Sequence, residues 1–339
     1  AGLLRQKRVT HKDVAALAGV SVATVSYVIN NGPRHVADET RMRVEEAIAS
    51  LGYYPSEVAR SLRLQQSSTV GLVIPNSANP FYAEIARELE RACTEEGLLV
   101  LLCNSDRDPE REQRFVFMLR AKQVDGVVIT PHGDAGALLQ PLLAAHIPVV
   151  VLEHSLPGVH CIGIDDLEGG RLATQHLIDL GHRHIGVIHH ETTALSVQRH
   201  QGYRKALAAA GVEYRPELVI TSGSMQADGY FAMQGLLALP ERPTAVFTHN
   251  DIIAMGAMRA IYDEGLAVPG DISVVGYDDI TAAAYLAPPL TTVRSPKTEM
   301  GVLAARTILR LVQEPDLPAQ TVTLPVELIV RASTAAVSS

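Results

Sequence analysis

Long apolar runs, paired cysteines and catalytic motifs are all missing from this chain. No stretch of its 339 residues approaches 18 consecutive apolar positions, which argues against a membrane-spanning helix. Cysteine is scarce. Cys93, Cys103 and Cys161 form an odd set in apolar surroundings with no CxxC spacing, which points to a reducing compartment rather than a disulfide framework. There is no P-loop, no GxSxG elbow and no nucleophile beside a base, so no enzyme is expected. The thirteen histidines invite a metal reading. However, His182/His184 and His189/His190 lie around one strand, where neighbours point to opposite faces, and no HExxH or Cys/His cluster accompanies them. No metal and no cofactor is expected. The first residues, AGLLRQKRVT, are too short and too polar for a signal peptide, so the expected location is the cytoplasm.

Positive charge is also in short supply, and its distribution is informative. The net charge is −8, yet residues 1–64 hold nine Lys+Arg against six Asp+Glu, a local +3 that leaves −11 for the rest. A mildly basic head on an acidic body suits a protein that meets phosphates with its head alone. The length predicts two or three domains, and a 47% hydrophobic composition is enough for sizeable cores.

The head reads as short helices around a tight turn. Thr10 and Asp13 are read as a capping box, after which Val14, Leu17 and Ala18 make an inward stripe. Gly19 permits the turn, and Ser21 caps a second helix that turns Val25, Val28 and Ile29 inward. Val22, Ala23, Ser26, Tyr27 and Asn30 share the opposite face and are small or polar enough to approach base edges. A third helix starts near Asp38, buries Val44, Ile48 and Leu51 and stops at Gly52. Residues 54–62 form about two further turns carrying the Val58/Leu62 pair, too short to be stable in isolation, and are predicted to fold on binding. A plain three-helix bundle shares part of this pattern. A helix-turn-helix that enters the DNA major groove accounts for all of it.

From Thr69 onward short apolar runs alternate with amphipathic helices, the signature of parallel βαβ units, and near Asp165 the series restarts. Two Rossmann-like lobes are expected, with TVTLPVELIVR as the last strand. Ligands of open α/β sheets bind beyond the carboxyl ends of strands. Asn79, Phe81 and Tyr82 follow the first strand, Asp165 ends another, and Asn250 and Asp278 end two more. Arg199 is read at the start of the helix RHQGYRKAL, and Asp251 as the cap of the helix that follows it. Carboxylates, an amide, an arginine and two aromatics suit a polyol, whose hydroxyls need donors and acceptors and whose ring faces are apolar.

The run from Thr10 to Leu62, with NPFYAEI, VDGVVI, GHRHIGVI, RHQGYRKAL, VPGDISVVGYDDI and PPLTTVRSP farther on, resembles the LacI/GalR family of bacterial transcription regulators, which includes the purine and lactose repressors. The likeness covers Val9 to Ser333. It implies an all-α helix-turn-helix headpiece (residues 1–54), a hinge helix and linker (55–68) and an α/β periplasmic-binding-protein-like core (69–339). The implied core has one lobe of about 69–165 and 296–324 and another of about 166–295 and 325–333. The resemblance further implies a ligand-responsive repressor that binds a near-palindromic double-stranded DNA operator as a homodimer, with no membrane partner. Its DNA contacts would come from Thr10, Ser21, Val22, Ala23, Thr24, Ser26, Tyr27, Asn30 and Arg34, and from the hinge residues Ala59, Leu62 and Arg63. Many members have arginine where this chain has Tyr27, so the half-site read there is expected to differ. Asp165, Arg199, Asn250 and Asp278 match effector-binding positions, and Phe81 and Tyr82 match pocket aromatics of the purine repressor. Ser224 stands where that repressor has an aromatic, which favours a sugar or sugar derivative over a purine or nucleoside. A transporter's solute-binding protein shares the core fold but lacks the headpiece, and an enzyme on a doubly wound fold remains a further rival.

Overall fold

The computed structural model describes residues 9–30, 32, 35–54, 66–190 and 194–337. The chain forms two compact units, residues 1–67 and 68–339.

In the first unit, α1 (His11–Ala18) and α2 (Val22–Ile29) are joined by Gly19, whose φ of +66° ends α1 in a left-handed cap. The two helices bend by 104° at this turn. The capping box is present, with Thr10 and Asp13 bonded to each other, and the Ser21 hydroxyl accepts the Thr24 amide at 3.1 Å. The third helix, α3 (Asp38–Leu51), stops at Gly52 (φ +58°). Val14, Val25 and Val44, one from each helix, are fully buried at the centre, with Ile29, Ile48 and Leu51 packed around them. The expected inward stripe of α1 needs one correction: Leu17 is 55% exposed, and Ala15 takes the buried place. A helix this short turns only a narrow arc toward two neighbours, and Val14, Ala15 and Ala18 fill it.

The second unit holds two sheets, each of six strands among the described residues, in the orders β11-β5-β4-β3-β1-β2 and β12-β10-β9-β8-β6-β7. The first lobe runs β1 (Thr69–Ile74), α4 (Pro80–Glu95), β2 (Leu99–Asn104), α5 (Pro109–Ala121), β3 (Gly126–Ile129), α6 (Ala135–Leu143), β4 (Val149–Leu152) and β5 (His160–Ile164). The second runs α7 (Asp166–Asp179), β6 (Ile185–His189), α8 (Ala194–Ala209), β7 (Val219–Thr221), α9 (Gln226–Leu237), β8 (Ala245–Thr248), α10 (Asp251–Asp263), β9 (Ser273–Asp278) and β10 (Thr291–Arg294). The chain then returns through α11 (Lys297–Gln313) and β11 (Thr321–Leu324) to the first sheet and crosses again to β12 (Glu327–Ile329). The stretch read as one final strand is therefore two strands in different sheets. Proline cannot continue a ladder, and the break falls at Pro325. All pairings are parallel except β10 with β12, so the other strands of each sheet present their carboxyl ends at one edge. Strands such as β3, β4 and β8 are buried along their whole length, as helices on both faces require. Among the described residues no single helix is long and apolar enough to cross a membrane.

Candidate functional site

The carboxyl ends of the strands converge on a small polar cleft. One cavity, about 50 Å³, is lined by Asn79, Phe81, Tyr82, Arg107 and Glu153 from the first lobe and by His190, Leu195, Ser196, Arg199, Ser224, His249, Asn250 and Ile253 from the second. A neighbouring space of about 130 Å³ shares Asn79, Tyr82, Arg107 and Ser224 with it, so the two form one cleft.

The centre of the second-lobe wall is Arg199, buried in the second turn of α8 rather than at the helix start, since α8 begins five residues earlier at Ala194. Its place is set by glycine. A Cβ on Gly170 of α7 would collide with the Arg199 carbonyl oxygen, and one on Gly202 of α8 with the Leu167 carbonyl. The two backbones therefore approach more closely than any side chain permits. The guanidinium Nε donates to Asp166 at 2.6 Å, Nη1 donates to the His249 carbonyl, and Asp278 lies 3.8 Å away. The Tyr277 ring lies beneath, 3.6 Å from centroid to guanidinium carbon. Burial works against the charge, but Asp166, Tyr277 and Asp278 outweigh it and hold Arg199 firmly protonated. Asp278 is itself pushed up to about 6 by burial, against the pull of Arg199 and Lys297.

The first-lobe wall is aromatic and strained. Asn79 caps α4 by accepting the Phe81 amide at 2.9 Å, which turns Phe81 and Tyr82 into the cleft. Their rings meet edge to face at 5.0 Å, and the Tyr82 hydroxyl donates to Glu153 at 3.0 Å. Burial, and then Asp166, push the Glu153 carboxyl up to about 7, against the opposing effects of Arg107 and Tyr82. Five of the eight described non-glycine residues with positive φ stand at strand ends, Asp106 (53°), Arg107 (58°) and Glu153 (62°) in the first lobe and Asp278 (101°) and Asp279 (50°) in the second. Strained backbone of this kind collects at ligand sites.

The structure brings Asn79, Phe81, Tyr82, Arg199 and Asn250 together in the cleft and places Asp278 one layer behind, against Arg199. Asp165 does not join them. It is exposed, and its side chain caps α7 through the Glu168 amide at 3.0 Å. The next residue, Asp166, is the fully buried partner of Arg199. Asp251 is likewise corrected. The cap of α10 is Asn250, whose side chain accepts the Ile253 amide at 2.7 Å. Asp251 is buried and accepts the Ile280 amide and the Thr292 hydroxyl. Arg107, Glu153, Ser196 and His249 went unread in the sequence. His249 directly precedes Asn250, but nothing in the local pattern marks the others.

In the first unit, Val22 (43% exposed), Ala23 and Asn30 lie open to solvent, while Thr24, Ser26 and Tyr27 are half-buried. Asn30 donates back to the Ser26 carbonyl at 2.8 Å, and the Ser21 and Thr24 hydroxyls lie 2.9 Å apart. The Tyr27 ring packs where a Cβ on Gly32 would fall, so a side chain at that position would displace it. Arg34, Ala59, Leu62 and Arg63, and with them the expected hinge helix, lie outside the described residues.

Residues 10–56 match the model of the bacterial regulatory proteins of the lacI family, and residues 174–334 match that of a periplasmic binding protein-like domain. The chain is 41% identical over 330 residues to the HTH-type transcriptional repressor PurR of Mannheimia succiniciproducens, covering 96% of this chain and 98% of that protein. It is also 41% identical over 330 residues to the ribose operon repressor of Escherichia coli, covering 96% and 99%. Among solved structures it is similar to the lac repressor dimer bound to operator and the anti-inducer ONPF. The TM-score is 0.87 at 32% identity, covering 97% of this chain and all of that one.

Proposed function

This chain belongs to the lacI family of bacterial regulatory proteins, and from that premise we propose that the effector of this repressor is a sugar or sugar derivative held in the cleft between its lobes. The protein is a ligand-responsive DNA-binding repressor that binds operator DNA as a dimer. The observation that carries the sugar reading is the lining of the cleft. Two aromatic rings on one wall face Arg199, Asn250 and His249 on the other, with Glu153 as an acceptor beside them. Rings cover apolar sugar faces while charged and amide groups satisfy hydroxyls. Ser224 leaves room where an aromatic plate for a purine would stand, and the cleft is small, which suits a monosaccharide. Asn79, Phe81, Tyr82, Arg199 and Asn250 are proposed as direct contacts, Asp278 as the residue that holds Arg199 in place, and Val22, Ala23, Ser26 and Tyr27 as the base-reading surface.

The mechanism is a shift between states of lobe closure. A ligand that touches both walls favours the closed form, and it can change operator affinity by no more than its differential affinity for the two forms. The test is a thermal-shift screen of D-ribose, other monosaccharides and hypoxanthine, followed by gel shifts on palindromic operator DNA. A monosaccharide that raises the melting temperature and changes operator affinity supports the reading. Hypoxanthine acting alone would replace it with a purine effector.

A further inference from the structure

His249 has a polar atom that neither the fold nor the ion-pair network uses. The side chain is 3% exposed and lines the cavity, and its Nε2 is buried with no hydrogen-bond partner. Its other ring nitrogen is engaged. The His190 amide donates to the Ser196 hydroxyl oxygen at 3.0 Å, and that same oxygen lies 2.8 Å from His249 Nδ1. The amide can only donate, so the serine oxygen accepts from it, and the hydroxyl can turn its own proton to Nδ1. A neutral imidazole that accepts at Nδ1 carries its proton on Nε2. Burial holds the ring neutral, and Arg199 and the neighbouring His189 add to that by opposing a second proton. A buried donor left without a partner is costly, on the order of 1–3 kcal/mol. A ligand oxygen in the cleft would remove that cost.

We propose that His249 is a specificity-determining residue of the effector cleft, its Nε2–H donating a hydrogen bond to one oxygen of the effector. The inference rests on the cleft being the effector site and narrows what that site accepts. A hydroxyl, ring oxygen or carbonyl satisfies the donor; an ammonium group at the same point does not. The second-lobe wall thus supplies donors in His249 and Arg199, while Glu153 across the cleft supplies an acceptor. A hydroxylated neutral ligand serves both walls at once.

The test has two arms on the full-length protein. Nitrogen-15 imidazole spectra at neutral pH are expected to show His249 as the neutral Nε2–H tautomer, with Ser196→Ala releasing that preference. An Nδ1–H tautomer in the parent would overturn the proposal. Calorimetric titration with D-ribose is expected to show binding weakened roughly tenfold or more in His249→Phe, the loss of about one hydrogen bond. His249→Gln, which keeps a donor, is expected to lose less. Equal affinity in all three proteins would overturn the specificity role even if the tautomer is right. If D-ribose does not bind the parent, the ribose case of the sugar reading fails, and the spectra still decide whether a fixed donor faces the cleft.

Discussion

The two units carry their functional side chains in opposite ways. On the headpiece, the candidate base-reading residues Val22 and Ala23 are exposed and make no side-chain hydrogen bonds, while the fold is held by a separate apolar set around Val14, Val25 and Val44. In the core, the candidate effector residues belong to the packing itself. Arg199 joins α7, α8 and β9 through Asp166, the Tyr277 ring and Asp278, and Tyr82 joins α4 to the end of β4 through Glu153. Stability and recognition are therefore separable in the headpiece and shared in the core. That contrast predicts which substitutions leave a folded protein with altered function and which do not.

The largest effect is expected at Arg199. Arg199→Met removes the only cation within bonding distance of Asp166 among the described residues and leaves that carboxylate, together with Asp278, buried. Breaking such a pair costs about 3–5 kcal/mol. Urea unfolding of the core is expected to show a loss of that size together with a loss of effector response. An Arg199→Met protein as stable as the parent would place recognition and stability on separate residues here too, and the contrast would fail.

Glu153 tests the same coupling through pH. Folded, its carboxyl keeps a proton until about pH 7, whereas the unfolded chain releases it near 4.5. Between those values the folded state binds more protons, so this group's stabilising contribution is complete below about pH 4.5 and is lost as the pH rises through 7. Glu153→Gln cannot ionise. Its stability relative to the parent is expected to improve from pH 5 to pH 8 by on the order of 2–3 kcal/mol. Histidines that titrate in the same range are common to both proteins and cancel. Urea midpoints at the two pH values measure the difference, and a gap independent of pH would show that Glu153 ionises freely.

The same division explains what could be read from the chain. Headpiece signals are local: the Thr10/Asp13 box, Gly19 and Ser21 act within four residues, and each appears in the structure where its spacing placed it. The alternation of strands and helices is equally local, so the two-lobed α/β architecture was legible. The cleft was half legible. Strand ends flagged Asn79, Phe81, Tyr82 and Asn250, but the Asp165/Asp166 choice depends on which carboxylate faces a helix 33 residues away. Glu153 depends on a positive φ and on a partner 71 residues earlier. Neither kind of information is carried by spacing along the chain.

A smaller effect is expected from Gly170→Ala. The new methyl meets the Arg199 carbonyl, which is backbone and cannot rotate away, so α7 and α8 must separate. Overpacking of this kind costs about 1–3 kcal/mol. Because Arg199 moves with α8, effector affinity is expected to fall as well. Loss of stability with unchanged effector affinity would show that the guanidinium position tolerates a shift of its helix.

The smallest effect is the sharpest test of separability. Ser21→Ala deletes the hydroxyl that accepts the Thr24 amide and should cost the headpiece about 1 kcal/mol, readable as faster amide exchange in α2 with the core's unfolding midpoint unchanged. Ser21→Asp keeps an acceptor at the cap and adds a negative charge at the amino end of α2, where the helix dipole favours it. The aspartate protein is therefore expected to fold as well as the parent. Yet the same charge would face operator phosphates if this end of α2 lies on DNA, so operator affinity is expected to drop while headpiece stability does not. Alanine and aspartate thus move stability and DNA binding in different proportions at one position. No substitution of Arg199 is expected to do so, because its one guanidinium both neutralises Asp166 and lines the cleft.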